Sequence, residues 1–447
     1  MTPGLPYEIE EQIVDHLHDD PTALRACSLT CSAWVPRARL HLFRTAALTC
    51  KRCCVRFLAV LESTAETEGG TGTSVGEFVR ELYLPSFSLY QRGRQEGLRY
   101  EMVCQICRRL PNVTVLVIDR FDWPRFIDRL CPGGNAANIR GALTSVFRFP
   151  HLQQLRMRTL SYGIPGDALQ LISSFPNLTA LELVGLTGSS RDADDPPLAL
   201  VPYGERCTAI RLQELIVDKW SSSIPALRDM LESLLKPPFE LRLRKLHWKT
   251  GDANEDMVRD PLGAEEKVLT KLFHGARETL EEFSLNVQRD RWLEQPEHTI
   301  SGHHSLSVLT LIFRLPQSGA AYWPFIPGFI SKVESTALRE VNLHFLSPRY
   351  DLRWDFVDWD SVSDALITLH EKHPWVLITF RFSVYISLLP MPSVAAPLRE
   401  RIQRALKKGV RVVAFREGLG VNYIYNPSMP GVVDRASVAL ASTRTEL

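Results

Sequence analysis

The chain has 447 residues, enough for about three compact domains or one long repetitive array. Hydrophobic residues make up 45% of it and charged residues 23%, which excludes the disordered, collagen-like and disulfide-scaffold classes. Lys and Arg number 52 against 51 Asp and Glu, so a formal charge of +1 leaves no overall excess with which to hold nucleic acid or an anionic membrane.

Met1 to Glu10 carry Glu8 and Glu10 and no basic-then-apolar run, unlike a signal or transit peptide. The longest uncharged apolar stretches, Leu315 to Ser331 and Phe382 to Leu398, hold three prolines each, too many for a membrane helix of about 20 residues. Nine cysteines spread through a long chain read as small buried hydrophobes in a compartment that keeps thiols reduced, cytoplasmic or nuclear. Ile9, Ile13, Val14 and Leu17 recur at helical spacing among Glu10, Glu11, Gln12 and Asp15, with Pro6 suited to a first turn and Glu8 to the positive end of the helix dipole. Asp19-Asp20-Pro21 ends this helix. A second is expected from about Thr22 through Leu24, Ala26, Cys27 and Leu29, and a third through Trp34, Val35, Ala38, Leu42 and Phe43.

The series Leu5-Pro6-x-Glu8-Ile9, then Ile13, Leu17, Leu24, Cys27-Ser28-Leu29-Thr30-Cys31-Ser32-Ala33-Trp34 and Leu42-Phe43 resembles the F-box, over about nine percent of the chain. The resemblance implies a Skp-type adaptor as partner, and through it a cullin, gripped by Leu5, Pro6, Ile9, Ile13, Leu17, Leu29 and Trp34. Independently, a three-helix piece of about forty residues buries too little surface to stand alone and needs a partner or a neighbouring domain. The alternative is that these helices cap the domain that follows.

Three later segments are near copies, Leu110 to Ile118, Phe149 to Met157 and Phe175 to Leu183, sharing the pattern apolar-Pro-polar-Leu-x-x-Leu-x-Leu. A shorter core of the same kind starts at Val79, Val113, Leu152, Leu178, Leu212, Leu243, Leu280, Leu306, Leu338, Leu377 and Val410, with helix-like text between. Each repeat reads as a strand followed by a helix, with the leucines inward and the intervening residues outward. This resembles a leucine-rich repeat without the asparagine that usually follows the strand. The fold class is therefore α/β: an N-terminal three-helix F-box, then an irregular leucine-rich-repeat-like solenoid of parallel strands and helices, with a globular parallel α/β domain as the alternative. Expected bounds are 1–50 for the helical module, 51–75 for a helix and flexible linker that includes Gly69 to Thr73, 76–425 for the repeats and 426–447 for a disordered tail. Insertions at Ser189 to Pro202, Gln288 to His304 and Leu346 to Asp360 are expected on one rim, where loops meet partners.

Cys50-x-x-Cys53 and Cys104-x-x-Cys107 have the spacing of a zinc half-site, but both lie in helix-like text, where i, i+3 pairs share a buried face, and neither reads as following a strand and opening a helix. No metal and no cofactor is expected. The aspartates Asp351, Asp355, Asp358 and Asp360 lack the glycine and terminal glutamate of a calcium loop and read as a solvated loop with a cap at Asp360 or Ser361, and His298, His303 and His304 as surface histidines. No serine-nucleophile elbow or kinase signature occurs, so no enzyme is expected. Beside the inward leucines lie Arg156, Arg158, Glu182, Asp218, His247, Lys249, Asn286, Asn342, His344, Arg381 and Arg416, candidates for holding an unknown target protein or else a generic polar face. The resemblance implies the substrate-recognition subunit of an SCF-type cullin ubiquitin ligase; a repeat scaffold without a ligase is the alternative.

Overall fold

The computed structural model describes residues 6–65, 74–84, 96–120, 123–132, 136–159, 161–162, 165–185, 187–188, 209–219, 224–250, 264–287, 300, 302–314, 325–347, 357–384, 395–418 and 443–446. They form two compact units: Met1–Leu212 with Trp220–Glu240, and Gln213–Lys219 with Leu241–Leu447. Among the described residues no helix is long and apolar enough to cross a membrane.

The first unit opens on three helices, α1 (Tyr7–His16), α2 (Pro21–Thr30) and α3 (Val35–Leu42). Asp20 caps α2, its carboxylate accepting the amides of Thr22 at 2.9 Å and Ala23 at 3.0 Å, while Pro21 fills the first position, where its missing amide leaves nothing unpaired. Trp34 falls outside the third helix, in a 3-10 turn (Ser32–Trp34), because Pro36 fits the first turn of α3 and sets its start at Val35.

Strand and helix then alternate: β1 (Thr45–Ala47), α4 (Lys51–Ala65), β2 (Glu81–Leu84), α5 (Glu96–Cys107), β3 (Val115–Asp119), α6 (Trp123–Leu130), α7 (Ala136–Val146), β4 (Gln154–Arg158), β5 (Ser161–Tyr162), α8 (Pro165–Ser173), β6 (Ala180–Val184), β7 (Thr187–Gly188), β8 (Ile210–Lys219) and α9 (Ile224–Leu234). In this unit β1, β2, β3, β4 and β6 pair in that order, every pair parallel, and β5 pairs with β7. The register lines up Ala46, Leu82, Leu116, Leu155 and Leu181 in one buried row, and Leu84, Ile118, Met157 and Leu183 in the next. The sheet thus begins at Thr45, upstream of residue 76, where the first repeat was expected.

The second unit contains β8 from Gln213 onward, β9 (Phe239–Thr250) from Leu241 onward, α10 (Ala264–Gly275), β10 (Glu282–Val287), β11 (Val308–Arg314), α11 (Phe325–Ser331), β12 (Glu340–Ser347), α12 (Trp359–Lys372), β13 (Leu377–Val384), α13 (Ala395–Arg401), α14 (Gln403–Lys407), β14 (Arg411–Gly418) and β15 (Thr443–Glu446). Strands β9 to β14 pair in sequence order and in parallel. Their buried rows are Leu246, Phe283, Leu309, Val341, Ile378 and Val412, then Trp248, Leu285, Leu311, Leu343, Phe380 and Ala414, then Phe313, Phe345 and Phe382. All seven leucines expected inside, Leu181, Leu183, Leu215, Leu246, Leu309, Leu311 and Leu343, are buried. The expectation of a wholly disordered tail is corrected at Thr443–Glu446, which pairs antiparallel with β14 as β15, because an edge strand offers unpaired backbone groups to any extended segment.

In place of an asparagine after each strand, a ladder precedes it. The carbonyl of Arg44 accepts two successive amides of the next repeat, Arg80 and Glu81; Arg80 accepts Thr114 and Val115, Thr114 accepts Gln153 and Gln154, and Gln153 accepts Thr179 and Ala180, all at 2.8–3.0 Å. Side chains reinforce the ladder, the Thr114 and Thr179 hydroxyls donating to the Arg80 and Gln153 carbonyls, and Asn112 and Asn177 donating to those of Glu77 and Pro150. The second unit repeats the device between Glu281 and Ser307–Val308, and between Ser307 and Arg339–Glu340. Each of these junction carbonyls is thereby paired with the next repeat without borrowing from the strand ladder.

The 3-10 turn Val75–Phe78 ahead of β2 packs so closely that a Cβ on Gly76 would collide with the carbonyl oxygen of Arg109, a backbone atom with no room to yield. Gly76→Ala is therefore expected to cost about 2 kcal/mol through overpacking, read as a lower denaturant midpoint. An unchanged midpoint would count against this packing.

Candidate functional site

The helical module has its own small core: Val14, Leu24 and Ala38 are buried, and Leu17, Trp34 and Leu42 pack on them. Its polar side is tied by one carboxylate. Asp15 accepts the Nε and Nη2 of Arg37, each at 2.5 Å, and contacts His41 Nε2 at 2.7 Å, so α1 is fastened to α3; Trp34 Nε1 donates to Glu10 at 3.0 Å. The Arg37 hydrogen bonds hold the Asp15 carboxyl far below the usual carboxylate range, with His41 adding to them and partial burial opposing. A depressed folded-state pKa contributes stability above the unfolded carboxylate range, near 4, that is lost as pH falls toward the folded value. Melting temperature is thus expected to fall less between pH 5 and 3 in Asp15→Asn than in the wild type; equal acid sensitivity would refute this role.

Satisfying that core leaves other apolar groups in water. Ile9 and Ile13 lie one turn apart on α1 and are 41% and 40% exposed, Tyr7 is 54% exposed, and Leu29 on α2 is 87% exposed. Scattered exposed leucines are ordinary, but four large apolar side chains on about twenty-five residues, beside a core of only three fully buried ones, mark a surface suited to a protein partner. Of the residues implied as adaptor contacts, Pro6, Ile9, Ile13 and Leu29 are exposed, Leu17 and Trp34 are half-buried against the internal core, and Leu5 lies outside the described residues.

The outward face of the sheet carries the second group. In the first unit Arg156 and Glu182 sit opposite each other on β4 and β6; Arg158 holds Glu182 through Nε at 2.8 Å and Nη2 at 2.7 Å, Arg156 Nε stands 3.5 Å away, and Arg156 also donates to Gln154. In the second unit Lys249 faces Asp218 at 3.9 Å, and Lys245 and His247 share Glu282 at 3.2 and 2.9 Å. Register then places Ser284, Thr310, Asn342 and Thr379 in the row begun by His247, and Asn286, Ile312, His344 and Arg381 in the row beyond. Asn342 donates to Thr310 Oγ1 at 3.3 Å, and His344 Nε2 lies 2.6 Å from Ser383 Oγ. Burial, reinforced by Arg381 and Lys249, lowers the His344 pKa to about 4, so the ring is neutral at physiological pH. Ser383 is fully buried, which keeps its hydroxyl from a substrate in solvent. Only the backbone of Arg416 is described.

Several expectations are corrected. His303 is no surface histidine: it is 1% exposed, its ring centroid is 4.0 Å from that of Phe273, and burial lowers its pKa to about 4, whereas His304 is exposed. The cap of α12 is Asp358, which accepts the Ser361 amide at 3.1 Å and its hydroxyl at 2.6 Å, not Asp360 or Ser361; Asp351, Asp355 and His298 lie outside the described residues, as do Gly69 to Thr73 and Ser189 to Pro202. Cys104 and Cys107 are buried on α5, and burial raises both thiols. Cys50 and Cys53, by contrast, do follow a strand and open a helix, because β1 was hidden in text that read as the end of a helical module. Among the described residues no group of three or more His, Cys, Asp or Glu is arranged to hold a metal ion.

The sequence matches no family model, and no curated protein matches it.

Proposed function

We propose that this chain is a substrate-recognition subunit of an SCF-type cullin ubiquitin ligase, in which α1 to α3 dock a Skp-type adaptor and the leucine-rich-repeat-like strands present a target protein. The observation that carries the reading is the unburied apolar set Tyr7, Ile9, Ile13 and Leu29, on the helices whose sequence resembles the F-box. A partner that covered them would remove apolar surface worth about 25 cal/mol per Å². The outward side chains Arg156, Arg158 and Glu182 in one unit, and Asp218, Lys245, His247, Lys249 and Glu282 in the other, give each unit a mixed-charge patch that supports the target-holding reading. In this reading the chain is no enzyme. It raises the effective concentration of target lysines near a loaded conjugating enzyme.

Affinity capture of the full chain from cells, followed by mass spectrometry, tests the proposal. Co-purification of a Skp-type adaptor and a cullin is the expected result. Capture of other partners with neither adaptor nor cullin would replace this reading with that of a repeat scaffold acting outside any ligase.

A further inference from the structure

Cys50 ends the loop after β1, and its carbonyl accepts the Cys54 amide at 3.1 Å, the first bond of α4, which makes Cys50 the N-cap. Its sulfur accepts the Cys53 amide at 3.4 Å and lies 3.1 Å from the Cys53 sulfur. Cys50 is exposed and Cys53 partly so, unlike Cys54, Cys104 and Cys107, which are buried. The Cys53 thiol also has the Thr49 hydroxyl at 3.7 Å. Two thiols in contact, one of them presented to solvent at the positive end of a 15-residue helix, form an arrangement that packing does not require.

We propose that Cys50 and Cys53 are a reversible thiol–disulfide exchange site that takes small disulfides of the glutathione class. The Cys50 thiolate attacks one sulfur of the small disulfide, breaking its S–S bond, and the first small thiolate leaves and takes a proton. The Cys53 thiolate then attacks the Cys50 sulfur, displaces the second small thiol, and closes the Cys50–Cys53 bond. One disulfide is reduced to two thiols while two cysteines become one disulfide. The Cys53 hydrogen bond lowers the Cys50 pKa, with the Cys53 amide and Arg52 acting the same way, so Cys50 is suited to the attacking role. The i, i+3 spacing in a first helical turn suits a disulfide without unwinding α4.

The test incubates the folded full chain with glutathione disulfide, blocks the remaining thiols by alkylation, and maps the modified cysteines by mass spectrometry. The wild type should lose two hydrogens in a Cys50–Cys53 cross-link, without retained glutathione, and recover both thiols on addition of excess glutathione. Cys53→Ser should stop at a glutathione adduct on Cys50, and Cys50→Ser should show neither product at these positions. A wild type that keeps glutathione on Cys50, leaves both thiols free, or cross-links Cys53 to Cys54 would overturn the proposal. Circular dichroism of each variant separates loss of chemistry from loss of fold, which the exposure of these side chains makes unexpected.

Discussion

Replacing Ile9 and Leu29 together with glutamate is expected to abolish capture of the Skp-type adaptor, a loss of about a hundredfold or more, while leaving the melting temperature nearly unchanged. Both side chains point to solvent, so the folded chain gives up little by losing them, and surface substitutions of this kind usually fall within about 0.5 kcal/mol. In a complex they would sit where a buried charge is uncompensated, and removal of a buried apolar anchor typically costs about 2 kcal/mol or more per residue. Leu5→Ala with Pro6→Ala is expected to act in the same direction. A folded Ile9→Glu, Leu29→Glu chain that still captures adaptor would show that these helices are not the docking surface.

Phe345→Ala should have the largest effect on stability, about 3–5 kcal/mol. Phe345 is 1% exposed in the third buried row, with ring centroids 5.2 Å from Phe313, 5.3 Å from Phe382, 6.4 Å from Phe380 and 6.1 Å from Trp359. The two nearest rings are stacked, and the register fixes Phe313, Phe345 and Phe382 on adjacent strands, so none can swing inward to refill the space. Phe345→Leu, which keeps most of the volume, should cost less than half as much. Equal denaturant midpoints for wild type and Phe345→Ala would contradict this account of the core.

The inward leucines were legible because a parallel strand beneath a layer of helices must bury every second residue, and Leu-x-Leu states that in three letters. The repeat starts were legible where a proline and a buried residue precede the strand, as at Phe175-Pro176, and failed where the chain shortens. On β13 the buried residue that opens the repeat is Val376, whose amide donates to His373 in the way that the Leu338 amide donates to Ser335, and the expected Leu377 already pairs with Glu340. The first repeat was missed because Phe43 and Arg44 close a helical pattern equally well; only the Arg44 carbonyl, accepting Arg80 and Glu81, shows that a sheet has begun. The same ambiguity conceals from the sequence that Cys50-x-x-Cys53 follows a strand. The burial of His303 under Phe273 depends on contacts outside its own loop, and no local pattern announces it. Asp358 was visible as an aspartate but not as a cap, since Asp360 and Ser361 satisfy the same local rule.

The carbonyl ladder joins like positions of neighbouring repeats and is indifferent to what lies between them. Along the chain 39 residues separate the paired positions Val115 and Gln154, and only 26 separate Gln154 and Ala180, yet both junctions carry the same pair of amides on one oxygen. Excising 154–179 would bring Ala180 directly after Gln153, and those two amides would meet the Thr114 carbonyl just as Gln153 and Gln154 do now. A gene encoding such a chain can therefore gain or lose whole repeats between equivalent anchors, and lengthen any connecting loop, without a new junction having to be invented.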